Sequence, residues 1–310
     1  MTSFQKKPQV ETQDLYQKIT NQIIEALSQS TDWVMPWHQK ALRLPQNALT
    51  QNLYSGVNIL SLWIASYKNH YTSPLWGTYK QWQALGAQVQ KGEKSHPIVF
   101  YKDFEVEERN EETGDLETVK KFVLKSSSVF NEAQVEDFDI PVEEEALGTD
   151  DNNFNTYQAV ETFVAQTGAK VVHSFSSAFY HQSEDMIGMP EQKNFMATDT
   201  QTPEEGYYGT LLHELTHWTG HKNRLNRIVP TARFGSDNYA MEELIAELGA
   251  SFLCADLGIS AIPRQDHANY IAHWLKVLKN DKKAIFYAAR QATLAVDFLK
   301  AFSQTVTEEI

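Results

Sequence analysis

The chain has 310 residues, 42% of them hydrophobic, with a net charge of −13 and one cysteine. That length is long for a single core and predicts two domains. The lone Cys254 excludes an internal disulfide, no apolar run of about 18 residues offers a membrane span, and the opening MTSFQKKPQVETQD has no apolar signal core, so a cytoplasmic protein is expected.

The overall charge hides an asymmetry. Residues 1–102 carry ten Lys/Arg against five Asp/Glu, a net +5; residues 103–150 carry four against sixteen, a net −12; the remainder carries thirteen against nineteen, a net −6. The basic first third is also rich in aromatics, including Tyr54, Trp63, Tyr67, Trp76, Tyr79 and Trp82, interleaved with Lys80, Lys91 and Lys94. Exposed aromatics stack on unpaired bases while lysines track phosphates, so this third is a candidate for single-stranded DNA. More than half of the rings are assigned to a core instead, as a domain of this size requires.

In chain order, a polar loop over Asn47–Asn58 enters a helix at Ile59–Tyr67, and a second helix covers Tyr79–Gln83. Lys91-Gly92-Glu93-Lys94 reads as a turn and Ile98–Tyr101 as a strand. The acidic stretch 103–120 reads as an exposed hairpin or loop, with strands returning at Phe122–Leu124 and Ser128–Phe130. Residues 136–153 read as an acidic linker. Beyond it come a helix at Tyr157–Gln166, a strand at Lys170–His173, the segment Ala178–Tyr180 and a strand over Asp185–Pro190. That last strand is placed to pair with an extended peptide.

His213-Glu214-Leu215-Thr216-His217 carries the most chemistry. Imidazoles four residues apart share one helical face and can bind one metal ion, usually zinc. Glu214 is then placed as general base, taking a proton from a water that the metal activates. Thr202-Pro203-Glu204-Glu205 forms a capping box with Pro at the first helical position, and Gly220 fits the C-cap, so the motif closes a helix. His221 follows the stop and is read as a non-ligand. Lys222, Arg224 and Arg227 are placed to hold a substrate or close the helix C-terminus.

A third ligand is sought in Tyr239–Ala250, a helical pattern ending near Gly258. Glu243 and Glu247 lie four apart on one largely apolar face, where unpaired carboxylates are costly. We assign Glu243 to the metal and Glu247 to a ligating imidazole, with Glu242 facing solvent. Glu243-x-x-Ala246-Glu247 resembles the E-x-x-A-D/N pattern of gluzincin peptidases. The reverse assignment stays open at this stage, as does a solvated acidic helix surface. Tyr239, His267 and Tyr270 are candidate oxyanion donors.

These blocks together resemble the ArdC-type antirestriction proteins of plasmids and phages. The resemblance rests on Tyr54-x-Gly56-x-Asn58, Trp76-x-x-Tyr79-Lys80-Gln81, Lys91-Gly92-Glu93-Lys94 and Val129-Phe130-Asn131-x-x-Gln134 in the first part. It continues in Asp185-x-Ile187-x-Met189-Pro190, His213 through His221, Arg224-Leu225 and Glu242 through Gly249. The chain departs from the family in its acidic insert at 103–120 and its acidic total charge.

The expected architecture is α+β in two domains. Residues 1–135 form a small single-stranded-DNA-binding domain, 136–153 a linker, and 154–310 a zincin-like, gluzincin-type metallopeptidase domain. Expected ligands are His213, His217 and Glu243 on one zinc ion, with manganese as another divalent option. Expected DNA contacts are Tyr54, Asn58, Trp76, Lys80, Lys91 and Lys94. The partners are single-stranded DNA and an unidentified protein or peptide substrate, with no membrane. Two other readings are a non-enzymatic coat on single-stranded DNA with a structural metal, and a protease clearing DNA-bound proteins.

Overall fold

The computed structural model describes residues 14–29, 42–109, 116–138, 150–198, 201–228, 236–260 and 268–304. Among them the fold is α+β. The first half holds α1 (Leu15–Gln29), β1 (Gln46–Asn47), α2 (Val57–Asn69), β2 (Leu75–Gly77), α3 (Tyr79–Ala84), β3 (Gln88–Val89), β4 (His96–Arg109), β5 (Leu116–Asn131) and β6 (Val135–Glu136). A four-stranded sheet runs β1-β2-β5-β4, and β3 pairs with β6. The second half holds α4 (Asp150–Gln166), β7 (Lys170–His173), β8 (Phe179–His181), β9 (Met186–Met189), α5 (Pro203–Thr219), α6 (Asp237–Leu257), α7 (Ala268–Asn280) and α8 (Ala284–Gln304).

Of the two forms expected for the acidic stretch, an exposed hairpin or a loop, the described residues show the hairpin, as a long two-stranded ribbon. β4 and β5 pair antiparallel from His96↔Val129 to Arg109↔Leu116. Asn58 seals the open edge of this ribbon near its base. Its amide donates to Val99 O and accepts from Val99 N, both at 2.8 Å. Covering an edge in this way blocks stray strand addition.

β9 occupies the middle of the sheet β7-β9-β8. It pairs parallel with β7 and antiparallel with β8. The expectation that this strand accepts a peptide is therefore corrected, because both its edges are already bonded. Only the outer edges of β7 and β8 remain for strand addition.

The two halves share one hydrophobic core. Ile19, Ile23 and Leu27 of α1 and Leu60 and Trp63 of α2 join the same cluster as Leu212, Leu248, Phe252, Trp274 and Leu299. The Trp63 and Phe252 rings meet edge-on at 5.6 Å. Gly56 N donates to Thr293 Oγ1 at 3.0 Å, and Thr20 Oγ1 to Lys282 O at 2.7 Å. Each large side chain so buried contributes roughly 1.5–3 kcal/mol, a sizeable share of a domain's stability.

Helix α5 approaches α6 closely at Gly249. A Cβ on Gly249 would lie 2.5 Å from Thr216 Cγ2 and 2.9 Å from its Oγ1. Thr216 is fully buried and donates to Leu212 O at 2.8 Å, so it has nowhere to turn. We expect Gly249→Ala to destabilise the protein by about 1–3 kcal/mol in denaturant unfolding, as overpacking does. In a Thr216→Ala background the cost should shrink markedly. An equal cost in both backgrounds would show that this contact does not set the helix spacing.

Candidate metal centre

The α5 helix forms as its residues dictate. Thr202 accepts from Glu205 N, the Glu205 side chain accepts from Thr202 N, and Pro203 opens the helix. Gly220 is the C-cap, but with φ −78° rather than a left-handed backbone. Its glycine serves space instead: a Cβ there would lie 2.6 Å from Ile228 Cγ1 and 3.1 Å from Arg227 Cζ. The chain thus folds back tightly after α5, with Arg227 N and Ile228 N both donating to Gly220 O.

His213 and His217 from α5 meet Glu243 from α6, with one donor atom of each within 4.8 Å of the others. His213 Nε2 lies 3.6 Å from Glu243 Oε2, and His217 Nε2 lies 3.6 Å from Glu243 Oε1. Donors each about 2.1 Å from one tetrahedral ion stand roughly 3.4 Å apart, so these three fit a divalent cation. Burial pushes the Glu243 carboxyl upward, but the imidazoles of His213 and His217 and a hydrogen bond from Tyr239 outweigh it and hold the acid down at about 2. The carboxylate is ionised, as a ligand must be.

The far sides of both imidazoles also face carboxylates. His217 Nδ1 donates to Glu242 Oε1 at 3.0 Å. His213 Nδ1 lies 3.7 Å from Glu247 Oε2. A proton held at Nδ1 by Glu242 leaves the His217 Nε2 lone pair directed at the centre, while Glu247 stands behind His213 at ion-pair distance. Glu247 therefore sits behind an imidazole, and Glu243 between the two.

Glu242 is a correction, since solvent exposure was expected. Its oxygens accept from Arg227 Nε and Nη2 at 3.0 Å each as well as from His217. Arg227 is anchored in turn by Thr219 Oγ1 at 2.6 Å and by Thr216 O. Arg227 and Arg224 both close the end of α5. Arg224 donates to Trp218 O at 2.6 Å, lies 3.8 Å over the Trp218 ring and pairs with Asp185. The Asp185 carboxyl is held at about 2, first by its hydrogen bond from Arg224. His221 stands outside the donor group, its Nδ1 accepting from Asn223 N at 3.3 Å.

Glu214 and His213 are each only 3% exposed. Tyr239 lies in the first turn of α6, against Glu243. His267 and the Tyr270 side chain lie outside the described residues. Cys254 is buried, and burial raises its thiol far above the ordinary range, which suits a packing role.

The expected DNA residues divide. Trp76 is 1% exposed, edge-on to Tyr71 and His96 at 5.9 and 5.5 Å. It cannot offer a face to a base, so its assignment is corrected to core. Asn58 is committed to the Val99 backbone, which corrects it to an edge clamp. Tyr54 is half-buried, its hydroxyl accepting from Asn47 Nδ2 at 3.1 Å. Lys80, Lys91 and Lys94 are exposed. The turn bearing the last two is anchored from below, where Gln134 Nε2 donates to Glu93 Oε2 at 2.7 Å and Lys94 O at 2.9 Å.

An H-E-x-x-H helix facing a glutamate on the next helix defines a zincin-type domain, and residues 158–291 match the family described as zincin-like metallopeptidase. Residues 13–130 match the N-terminal domain of anti-restriction factor ArdC. The chain belongs to the ArdC antirestriction family. The crystal structure of antirestriction ArdC protein from the R388 plasmid, in metal-free form, is 36% identical, with a TM-score of 0.76 over 94% of this chain and 98% of that one. The Mn(II)-bound structure of the same protein is 34% identical, with a TM-score of 0.75 over 94% of this chain and 98% of that one. An uncharacterized protein, y4eC, of Sinorhizobium fredii is 40% identical over 96% of this chain and 94% of its own length. DNA primase TraC of Escherichia coli is 34% identical over 95% of this chain, which spans only 28% of that protein.

His213→Ala and His217→Ala should each abolish tight binding of a divalent metal in calorimetric titration. Glu243→Ala should weaken it more than Glu247→Ala. Glu242→Gln should weaken it about 10–100-fold, as loss of an imidazole-orienting group does. Full affinity in Glu242→Gln would show that the Arg227–Glu242 pair does not act on His217.

Proposed function

We propose that this chain is an antirestriction protein that engages single-stranded DNA and hydrolyses peptide bonds at a zinc-type centre. The functional division falls near the acidic segment 136–153. The observation that carries the peptidase reading is the convergence of both Nε2 atoms on Glu243, with a buried Glu214 next to the first histidine. Homology to the R388 protein supports the antirestriction role, and its Mn(II)-bound form supports a divalent ion at this centre. Similarity to part of a DNA primase fits work on DNA.

His213, His217 and Glu243 would hold the ion, and neither thiol nor further imidazole is needed. When bound, the ion supplies Lewis acidity, polarising a carbonyl oxygen and lowering the pKa of water. Glu214 accepts the proton of the attacking water and returns it to the departing amide nitrogen. Glu242 keeps His217 in the tautomer that leaves its Nε2 free, and the Glu247 carboxylate behind His213 favours the same arrangement there. Holding such a site on a strand raises its effective concentration towards proteins on the same DNA, to roughly millimolar for a short tether.

A second reading, a structural metal in a DNA-coating protein, draws on the enclosure of His213 and Glu214. Structural zinc sites are closed, whereas catalytic ones keep a position for substrate. Glu214→Gln separates the two. The variant should retain the metal, lose peptide hydrolysis by at least about 100-fold, as loss of a general base does, and fail to protect incoming DNA from restriction in cells. Full protection by Glu214→Gln would favour the non-enzymatic role.

A further inference from the structure

Near its base the β4–β5 ribbon sorts its charge by face; further out, the register puts the pair Glu108↔Glu117 on the face of Lys102 and Arg109 on the other. Side chains alternate along a strand, and directly paired residues share a face. Phe100↔Lys125, Lys102↔Val123 and the pair at 104↔121 put Phe100, Lys102, Lys121, Val123 and Lys125 on one face. Tyr101, Asp103, Glu105, Glu107, Lys120 and Phe122 fall on the other. Between residues 100 and 107 and between 118 and 125, every acid lies on the second face, where Asp103 pairs with Lys120 at 3.8 Å. The first face carries three lysines and no acid in the same span.

The ribbon is fixed at its base. On the lysine face Ile98 packs against the cluster containing Trp76 and Val129. On the acidic face Tyr101 shares a hydrogen bond with Tyr16 of α1 at 3.1 Å. Lys102, Lys121 and Lys125 are exposed. Phe100 is 46% exposed, and Phe122 on the opposite face 66%. Exposed aromatic area thus occurs on both faces; charge is what differs.

We propose that the Phe100–Lys102–Lys121–Lys125 face is the surface that carries single-stranded DNA. The inference deepens the DNA-binding reading above and rests on it. Lysines recur along this face at two-residue steps of about 7 Å, with Phe100, directly paired with Lys125, as a stacking platform. The carboxylates of the opposite face are directed away from a bound strand, and salt weakens their reach over roughly 8–10 Å. Over residues 100–107 and 118–125 the ribbon is therefore compatible with a polyanion on one side only.

The test uses the full-length protein, because α1 and α2 share a core with the C-terminal helices. Fluorescence anisotropy with a labelled oligothymidine, and with a duplex of equal length, is followed from about 50 to 300 mM salt. Two matched pairs of variants change the same residue types on opposite faces: Lys125→Glu against Lys120→Glu, and Phe100→Ala against Phe122→Ala. We expect Lys125→Glu and Phe100→Ala to weaken oligothymidine binding at least about 5-fold, the lower end for a lost stacking contact. Lys120→Glu and Phe122→Ala should stay within about 2-fold. Lys125→Gln, a milder change, should lower the salt slope by about 0.7. Melting curves check that each variant stays folded. Equal losses on both faces, no loss on the lysine face, or equal affinity for duplex would overturn the assignment. A wild-type protein that fails to bind oligothymidine at any salt would instead remove the DNA-binding reading itself.

Discussion

The centre exists because α5 and α6 run close together. A metal site shared by two helices needs their side chains to meet within a few ångströms, and ordinary side chains at the crossing would hold the backbones apart. Gly249 removes that obstacle directly opposite Thr216. Six residues earlier on α6, Glu243 then reaches both imidazoles at 3.6 Å. Glu247, two residues before the glycine, reaches behind His213. One missing Cβ thus governs where the Glu243 and Glu247 carboxylates stand against the imidazoles.

The end of α5 is built for the same purpose. Gly220 permits a tight return, which delivers Arg227 under the last turn of the helix. There the guanidinium satisfies helix-terminal groups and fixes Glu242 behind His217. A cation at a helix C-terminus is favourable by itself, and here it also neutralises the Glu242 carboxylate. Arg224, stacked on Trp218 and paired with Asp185, ties this return loop to the turn before β9. The sheet, the helix end and the site are thereby one connected unit.

Local features were legible in the sequence where short-range chemistry decides. The capping box at Thr202–Glu205, the Pro203 start and the H-E-x-x-H spacing foretell α5, and Gly258 with φ +72° ends α6 as expected. Glu242 was not legible, because a residue on the acidic side of its helix looks solvated until a loop fifteen residues earlier supplies Arg227. Trp76 was misplaced for a similar reason. Composition marks a chain as rich in aromatics, but only packing against Tyr71, His96 and Val129 shows which rings are enclosed. Helices α1, α7 and α8 carry no chemical motif, yet they supply much of the core that joins the two halves. A hairpin over residues 103–120 was one of two forms legible in the sequence; its length, and which residues share a face, follow only from the pairing register.

In the proposed site, two imidazoles of one helix and one carboxylate of the next hold a divalent metal. X-ray absorption at the metal edge of zinc-reconstituted protein reads the donor atoms directly. Two imidazole nitrogens, from His213 and His217, are expected at about 2.0–2.1 Å, with oxygen donors completing the shell. A sulfur donor, which only Cys254 or a methionine could provide, or a third imidazole, for which His221 stands nearest in sequence, would contradict it.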